Sequence, residues 1–181
     1  IIRLSKIFGW VEKPKKDRWH NREVAKFGGV AIYFSAVITF LIFLDNTQFT
    51  LILLSMGTIA FLVGLIDDLI SIFPSLKMLC FILIAVICFN FEIRIFYEMP
   101  IYISLPFTIL WITGIINAIN IIDNMDGLSS GISSISLFFI CIVSYSTGNA
   151  DVFISSLCLL GACIGFLLFN FNPAKIFMGD S

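Results

Sequence analysis

Residues 50–68 read Thr50-Leu-Ile-Leu-Leu-Ser-Met-Gly-Thr-Ile-Ala-Phe-Leu-Val-Gly-Leu-Ile-Asp67-Asp68. An uncharged run from Thr50 to Ile66 ends abruptly in two adjacent carboxylates. No polar stripe recurs along it at helical spacing. A helix apolar on every side belongs in a large core or in a bilayer, and this run is near the ~17–25 residues that cross hydrocarbon.

Five further runs of the same kind lie at 29–44, 76–91, 101–122, 131–147 and 152–169. Of the 181 residues, 59% are hydrophobic and 13% charged, with a mean hydropathy of +1.04. A soluble domain is about 45–50% apolar and about 25% charged. These values exclude a disordered tail, a basic nucleic-acid-binding domain and a disulfide scaffold, and one soluble core could not hide this much apolar surface. Residues 82–89 are rich in strand formers, but an open strand in lipid leaves backbone groups unsatisfied, so helix is expected there too. The expected fold is all-α: a polytopic membrane helical bundle with about six transmembrane helices. One membrane-embedded domain covers 1–181, comprising a basic segment 1–28, six spans with short loops over 29–169, and a loop 170–181. Five Cys, at 80, 88, 141, 158 and 163, lie inside apolar runs without CxxC spacing and are expected to be buried free thiols. Arg3, Lys6, Lys13, Lys15, Lys16 and Arg18 interrupt any leader-like apolar stretch. The chain starts at Ile1 rather than Met and stops just after Gly179-Asp180, so it reads as a piece of a longer protein.

Charge sets an expected orientation. With alternating spans, 1–28, 67–75, 123–130 and 170–181 share one side, and 45–49, 92–100 and 148–151 the other. Counting Lys77 as snorkelling to the first side, that side holds Arg3, Lys6, Lys13, Lys15, Lys16, Arg18, Arg22, Lys26, Lys77 and Lys175; the other holds only Arg94. The positive-inside rule makes the first side cytoplasmic.

The acids gather on that same side. Asp67-Asp68 follow the second run, Asp123 and Asp126 the fourth, and Asp180 the sixth. A carboxylate at a helix C-terminus opposes the macrodipole, and adjacent carboxylates repel. These Asp residues are either solvated residues ending each span or ligands for a hard cation, and three such loops on one face favour the cation. Mg²⁺ takes oxygen ligands and is typically held by one or two carboxylates plus substrate phosphates; the single His20 and the buried Cys speak against zinc or copper. A phosphate-bearing lipid and a soluble nucleotide suit such a site, with catalysis by positioning and electrostatics and an Asp free of metal as a base for an attacking phosphate. Asn117 and Asn120 lie one helical turn apart, suited either to substrate contact or to bonding between helices. Gly127, Gly131 and Gly179 permit close backbone approach to phosphate. Lys175 is a phosphate contact or an interface anchor.

At these residues the chain resembles the polyprenyl-phosphate N-acetylhexosamine-1-phosphate transferase family, which includes initiators of O-antigen and teichoic-acid synthesis and the phospho-MurNAc-pentapeptide translocase. Four blocks match in order: Arg18-Trp-His20-Asn-Arg22 leading to Lys26-Phe-Gly28-Gly29-Val-Ala-Ile32; Gly64-Leu-Ile-Asp67-Asp68 with Lys77 downstream; Asn117-Ala-Ile-Asn120-Ile-Ile-Asp123-Asn-Met-Asp126-Gly127-Leu128; and Asn172-Pro-Ala-Lys175-Ile-Phe-Met-Gly179-Asp180-Ser181. The resemblance implies transfer of a sugar 1-phosphate from a UDP-sugar to undecaprenyl phosphate with release of UMP. Magnesium is the implied cofactor, with manganese as the alternative. Asp67, Asp68, Asp123 and Asp126 are the implied catalytic residues, Asn117, Asn120, Lys77, Lys175 and Gly127 the substrate contacts, and Asp180 with Asp68 the metal ligands. The implied place is the bacterial inner membrane with the active face cytoplasmic. The partners are undecaprenyl phosphate, the UDP-sugar and the bilayer, with no nucleic acid and with a homodimer as the assembly to test.

Three departures stand out. Glu23-Val-Ala replaces the usual Pro before Gly28-Gly29, Asn124 stands where Gly is usual, and Ser71 stands where peptidoglycan-type members carry Lys. The last tilts the reading toward surface-polysaccharide members. Family members run to about twice this length, so the chain alone is expected to have little or no transferase activity. The competing readings are a non-catalytic scaffold and a transporter. A transporter would place its acids near mid-membrane.

Overall fold

The computed structural model describes residues 2, 5, 11–12, 24–43 and 47–180. The block at 18–22, the basic residues Arg3, Lys6, Lys13, Lys15, Lys16, Arg18 and Arg22, and Ser181 lie outside the described residues. Within them, two short strands, β1 (Val11–Glu12) and β2 (Val24–Ala25), pair antiparallel. Six helices follow: α1 (Gly28–Phe43), α2 (Gln48–Ile70), α3 (Pro74–Asn90), α4 (Ile101–Ile122), α5 (Leu128–Ser146) and α6 (Ala150–Asn170). Each expected apolar run is a helix, including the strand-rich 82–89. By length and composition α2, α4, α5 and α6 suffice to cross a membrane, and α1 and α3 are shorter apolar helices. The chain is a multi-pass membrane protein.

Local chemistry sets the boundaries. Thr47 caps α2 by accepting from the Thr50 N–H at 3.2 Å, and Asn149 caps α6 by accepting from Val152 N–H at 3.2 Å. Pro74 opens α3, where its missing N–H costs nothing. The sequence places Asp67 and Asp68 just beyond the second span. Instead α2 runs on to Ile70, and both lie in its last turn. There the Asp67 carboxylate accepts the Ile72 N–H at 2.6 Å, so it closes the helix as well as ending the span.

The packing differs from a soluble protein's in what it exposes. Large apolar side chains face outward, such as Leu41, Ile70, Phe73, Leu110 and Leu168. Beside buried apolar residues such as Phe81 and Leu160, the buried positions include the small polar Ser104, Thr108, Thr113, Ser129, Ser130, Ser134, Ser144, Ser155 and Ser156, and Asn170. In lipid no hydrophobic force drives helix against helix, so small residues that permit close approach collect at the interfaces. Many of their hydroxyls are satisfied within their own helices, as where Ser134 and Thr108 donate to the carbonyls of Ser130 and Ser104 at 2.7 and 2.8 Å, while Ser104 donates to the Ile95 carbonyl at 2.6 Å and Ser130 to Asn170 at 3.1 Å. All five cysteines are free; Cys88, Cys141 and Cys163 are buried and Cys80 and Cys158 half-buried.

The helices form two groups. α5 packs along α6 and α1 along α6, while α3 packs on α4 and α2 on α3; direct contacts between the groups are sparse. The first group is filled by Phe166 with Ala25 and Ile176, the second by Phe81, Ile84 and Cys88. Past α6 the chain folds back as a strap over residues 171–180. It bridges β2 at Ala25–Ile176, and the Phe177 N–H donates to the Ala25 carbonyl at 2.9 Å. The Phe177 and Met178 carbonyls accept the N–H groups of Gly28 and Gly29, both at 2.9 Å. Those two amides open α1 and have no partner inside it. A Cβ on Gly28 would collide with the Phe166 ring and lie 2.6 Å from the Phe177 carbonyl oxygen. Gly28 is therefore where strap, helix and ring meet. Gly28→Ala is expected to lower stability by about 1–3 kcal/mol, seen as a lower melting temperature in detergent. An unchanged melt would show that the strap is not seated on α1.

Candidate active site

Asp67 and Asp68 project from the last turn of α2, and Lys77 from the first turn of α3. The Lys77 ammonium is 2.7 Å from Asp67 Oδ2 and 2.7 Å from Asp180 Oδ2. Asp180 arrives on the strap, and its backbone N–H donates to Asp68 Oδ1 at 2.9 Å. Four residues chosen from sequence, Asp67, Asp68, Lys77 and Asp180, thus meet in one cluster. Gly179 makes the approach feasible. Its φ is +82°, and a Cβ there would lie 2.7 Å from Asp68 Oδ2, so only glycine brings the strap this close.

The second acidic loop joins the same strap. Asp123 caps the end of α4, its N–H donating to the Ile119 carbonyl at 3.1 Å. Asp126 Oδ2 accepts the Ala174 N–H at 3.0 Å. Asn117 donates to the Thr113 carbonyl at 2.8 Å and reaches Met78, the neighbour of Lys77, at 3.5 Å. Asn120 is half-buried one turn further along α4. Lys175 is exposed on the strap. Gly127 adopts a φ of +71° and spends its N–H on Asn170 Oδ1 at 3.0 Å.

Asn170 is a residue that reading the sequence passed over. It is buried, and its amide bonds to Gly127, Ser130 and the Ile176 carbonyl. The signal was present: an amide ending an apolar span is as costly to place as Asn117 or Asn120.

Lys77 bridges two of these carboxylates, Asp67 and Asp180. Lys77 and Asp67 are largely sheltered, while the Asp180 side chain is 47% exposed. Burial pushes the Asp180 carboxyl above its ordinary value, its neighbour Asp67 pushes the same way, and Lys77 opposes them. A carboxylate so placed favours a further positive charge. Among the described residues, no three His, Cys, Asp or Glu side chains are grouped to hold a metal by themselves. Asp68 and Asp180 are carboxylates brought side by side by the strap, an all-oxygen pair of the chemistry that a hard cation takes along with water and substrate phosphate. The five acids lie at helix ends, in the α4–α5 loop or on the strap, and not at mid-membrane. A transporter pathway calls for the latter.

Residues 49–181 match the family described as glycosyl transferase family 4. A protein of Bacillus subtilis (strain 168), described as a probable undecaprenyl-phosphate N-acetylglucosaminyl 1-phosphate transferase, is 32% identical over 191 residues, covering all of this chain and 53% of that protein. The phospho-N-acetylmuramoyl-pentapeptide-transferase of Staphylococcus saprophyticus is 35% identical over 181 residues, covering 85% of this chain and 56% of its own length. Its counterpart in Streptococcus pneumoniae (strain ATCC BAA-255 / R6) is 31% identical over 175 residues, covering 84% and 53%. The chain spans about half the length of the curated relatives it matches.

Lys77→Met would leave Asp67 and Asp180 facing each other without their ammonium. A loss of about 1–3 kcal/mol is expected, less than for a fully buried pair because Asp180 is half-exposed. Thermal melts of wild type and variant check this, and equal melting temperatures would show that Lys77 does not hold the cluster.

Proposed function

The chain belongs to glycosyl transferase family 4, and on that premise we propose that it carries the carboxylate site of an enzyme that moves a sugar 1-phosphate onto a membrane lipid phosphate. The donor is a UDP-sugar, an N-acetylhexosamine in the first instance, and the acceptor is undecaprenyl phosphate. The lipid phosphate oxygen attacks the sugar-bearing phosphorus of the donor. The bond from that phosphorus to the bridging oxygen breaks, and UMP leaves with its electron pair. The product feeds synthesis of a cell-wall or surface polysaccharide. The site faces the cytoplasm across the bacterial inner membrane, where the nucleotide-sugar is dissolved.

One observation carries the reading: Asp67, Asp68, Asp180 and Lys77, from three separate stretches of the chain, are drawn together at the end of the helices. A site that joins two anionic phosphates needs positive charge at the point of transfer and rigid placement of both reactants. Asp68 and Asp180 are the proposed ligands of Mg²⁺, with Mn²⁺ as the alternative. When bound, the cation offsets the charge of the donor pyrophosphate. Lys77, fixed between Asp67 and Asp180, presents an ammonium beside the transferring group. Asp67 is pinned by the Ile72 N–H and by Lys77, which sets the direction of that ammonium. Asp123, Asp126, Asn117 and Asn120 line the neighbouring loop and helix and organise the nucleotide. A phosphate monoester has its second pKa near about 6, so the attacking lipid phosphate is mostly dianionic at neutral pH and asks little of a base.

The test uses the full-length protein in membranes or detergent. Asp68→Asn and Asp180→Asn are each expected to cut UMP release by about 100- to 1,000-fold, with membrane insertion unchanged. Chelation should abolish turnover and Mg²⁺ restore it. Normal turnover in both variants, or in chelator, would sink the assignment.

A further inference from the structure

We propose that Asn170 is a positioning residue that locks the Asp126 loop to the strap carrying Asp180, so that the two acidic elements move as one. Asn170 is the last residue of α6 and is only 2% exposed. Its Oδ1 accepts from the Gly127 N–H at 3.0 Å and from the Ser130 hydroxyl at 3.1 Å. Its Nδ2 donates to the Ile176 carbonyl at 2.9 Å. One carboxamide thus meets the loop with its acceptor and the strap with its donor.

The residue type is demanding. An amide offers an acceptor oxygen with two lone pairs and a donor nitrogen on one short stem. Aspartate lacks the donor when ionised, and an apolar residue of similar size leaves a backbone N–H, a hydroxyl and a carbonyl without that partner. Packing alone would be met more cheaply by leucine. Each end of the lock leads along the chain to an acidic residue. Gly127 directly follows Asp126, and Asp126 holds the strap a second time through the Ala174 N–H. Ile176 is buried against β2, and from there the strap runs through the Phe177 and Met178 carbonyls on α1 to Asp180 on Asp68. Displacement of the loop is therefore carried to the carboxylate cluster through hydrogen bonds.

The catalytic consequence rests on the function proposed above; the coupling itself does not. The experiment compares full-length wild type, Asn170→Ala and the milder Ser130→Ala, which removes one of the two donors to Oδ1. Hydrogen–deuterium exchange is followed in peptides covering 123–128 and 174–180, alongside UMP release. In Asn170→Ala exchange should rise in both peptides together and stay unchanged in the rest of α2 and α3, while kcat falls about 10- to 100-fold with little change in the KM for the lipid phosphate. Ser130→Ala should shift the same quantities in the same direction by less, and it serves if Asn170→Ala fails to fold. A rise confined to one peptide, a uniform rise along the chain, or wild-type exchange in both peptides would overturn the proposal, as would unchanged kcat in an active enzyme. If wild type itself releases no UMP from any UDP-N-acetylhexosamine, the functional reading fails, and the exchange data alone decide the coupling.

Discussion

An ammonium held 2.7 Å from each of two carboxylates, Asp67 on α2 and Asp180 on the strap, is the interaction on which the rest of the structure turns. The two helix groups touch each other sparsely and have separate cores. What joins them at this end is the strap, which leaves α6 in one group and reaches α2 and α3 in the other. Its path is set by backbone bonds to β2 and α1, by Asn170 and Asp126, and finally by Asp68. Each contact alone is modest. Together they hold the Asp180 carboxylate against two more carboxylates, which would otherwise repel it.

The arrangement explains why glycine stands where it does. At Gly28 the Phe166 ring and the strap leave no room for a Cβ, and at Gly179 the Asp68 carboxylate leaves none. Neither glycine needs a phosphate to justify it. Both are consequences of folding an irregular strap tightly onto helix ends.

Much of the fold was legible because lipid makes hydropathy decisive: the run at 50–66 and its five counterparts are all helices. The boundaries were less legible. Helix α2 outlasts its apolar run by one turn because Asp67 caps its own helix end with help from Lys77, a pairing ten residues apart that hydropathy does not encode. Of the site, the acids and Lys77 were visible as charges out of place at span ends. Their convergence was visible only through the family's motif order, since the strap that unites Asp180 with Asp68 is irregular backbone without a periodic signature. Asn170 was missed because the eye stops at the motif starting at Asn172, although a buried amide at the end of an apolar span is the same kind of anomaly as Asn117. An apolar groove between α1 and α6, lined by Ile32, Gly161, Gly165 and Phe166, has none of these charges in its lining, so a concave surface alone would have pointed elsewhere.

The central claim is that this carboxylate–lysine cluster serves transfer of a phosphosugar and not of a bare sugar. The two differ in which bond breaks. The most direct measurement supplies the full-length enzyme with undecaprenyl phosphate and a UDP-N-acetylhexosamine labelled in the phosphate that bears the sugar. The account predicts that the label enters the lipid product and that unlabelled UMP is released. Label leaving in UDP would mean that the bond between sugar and phosphate had been cut, and would contradict it.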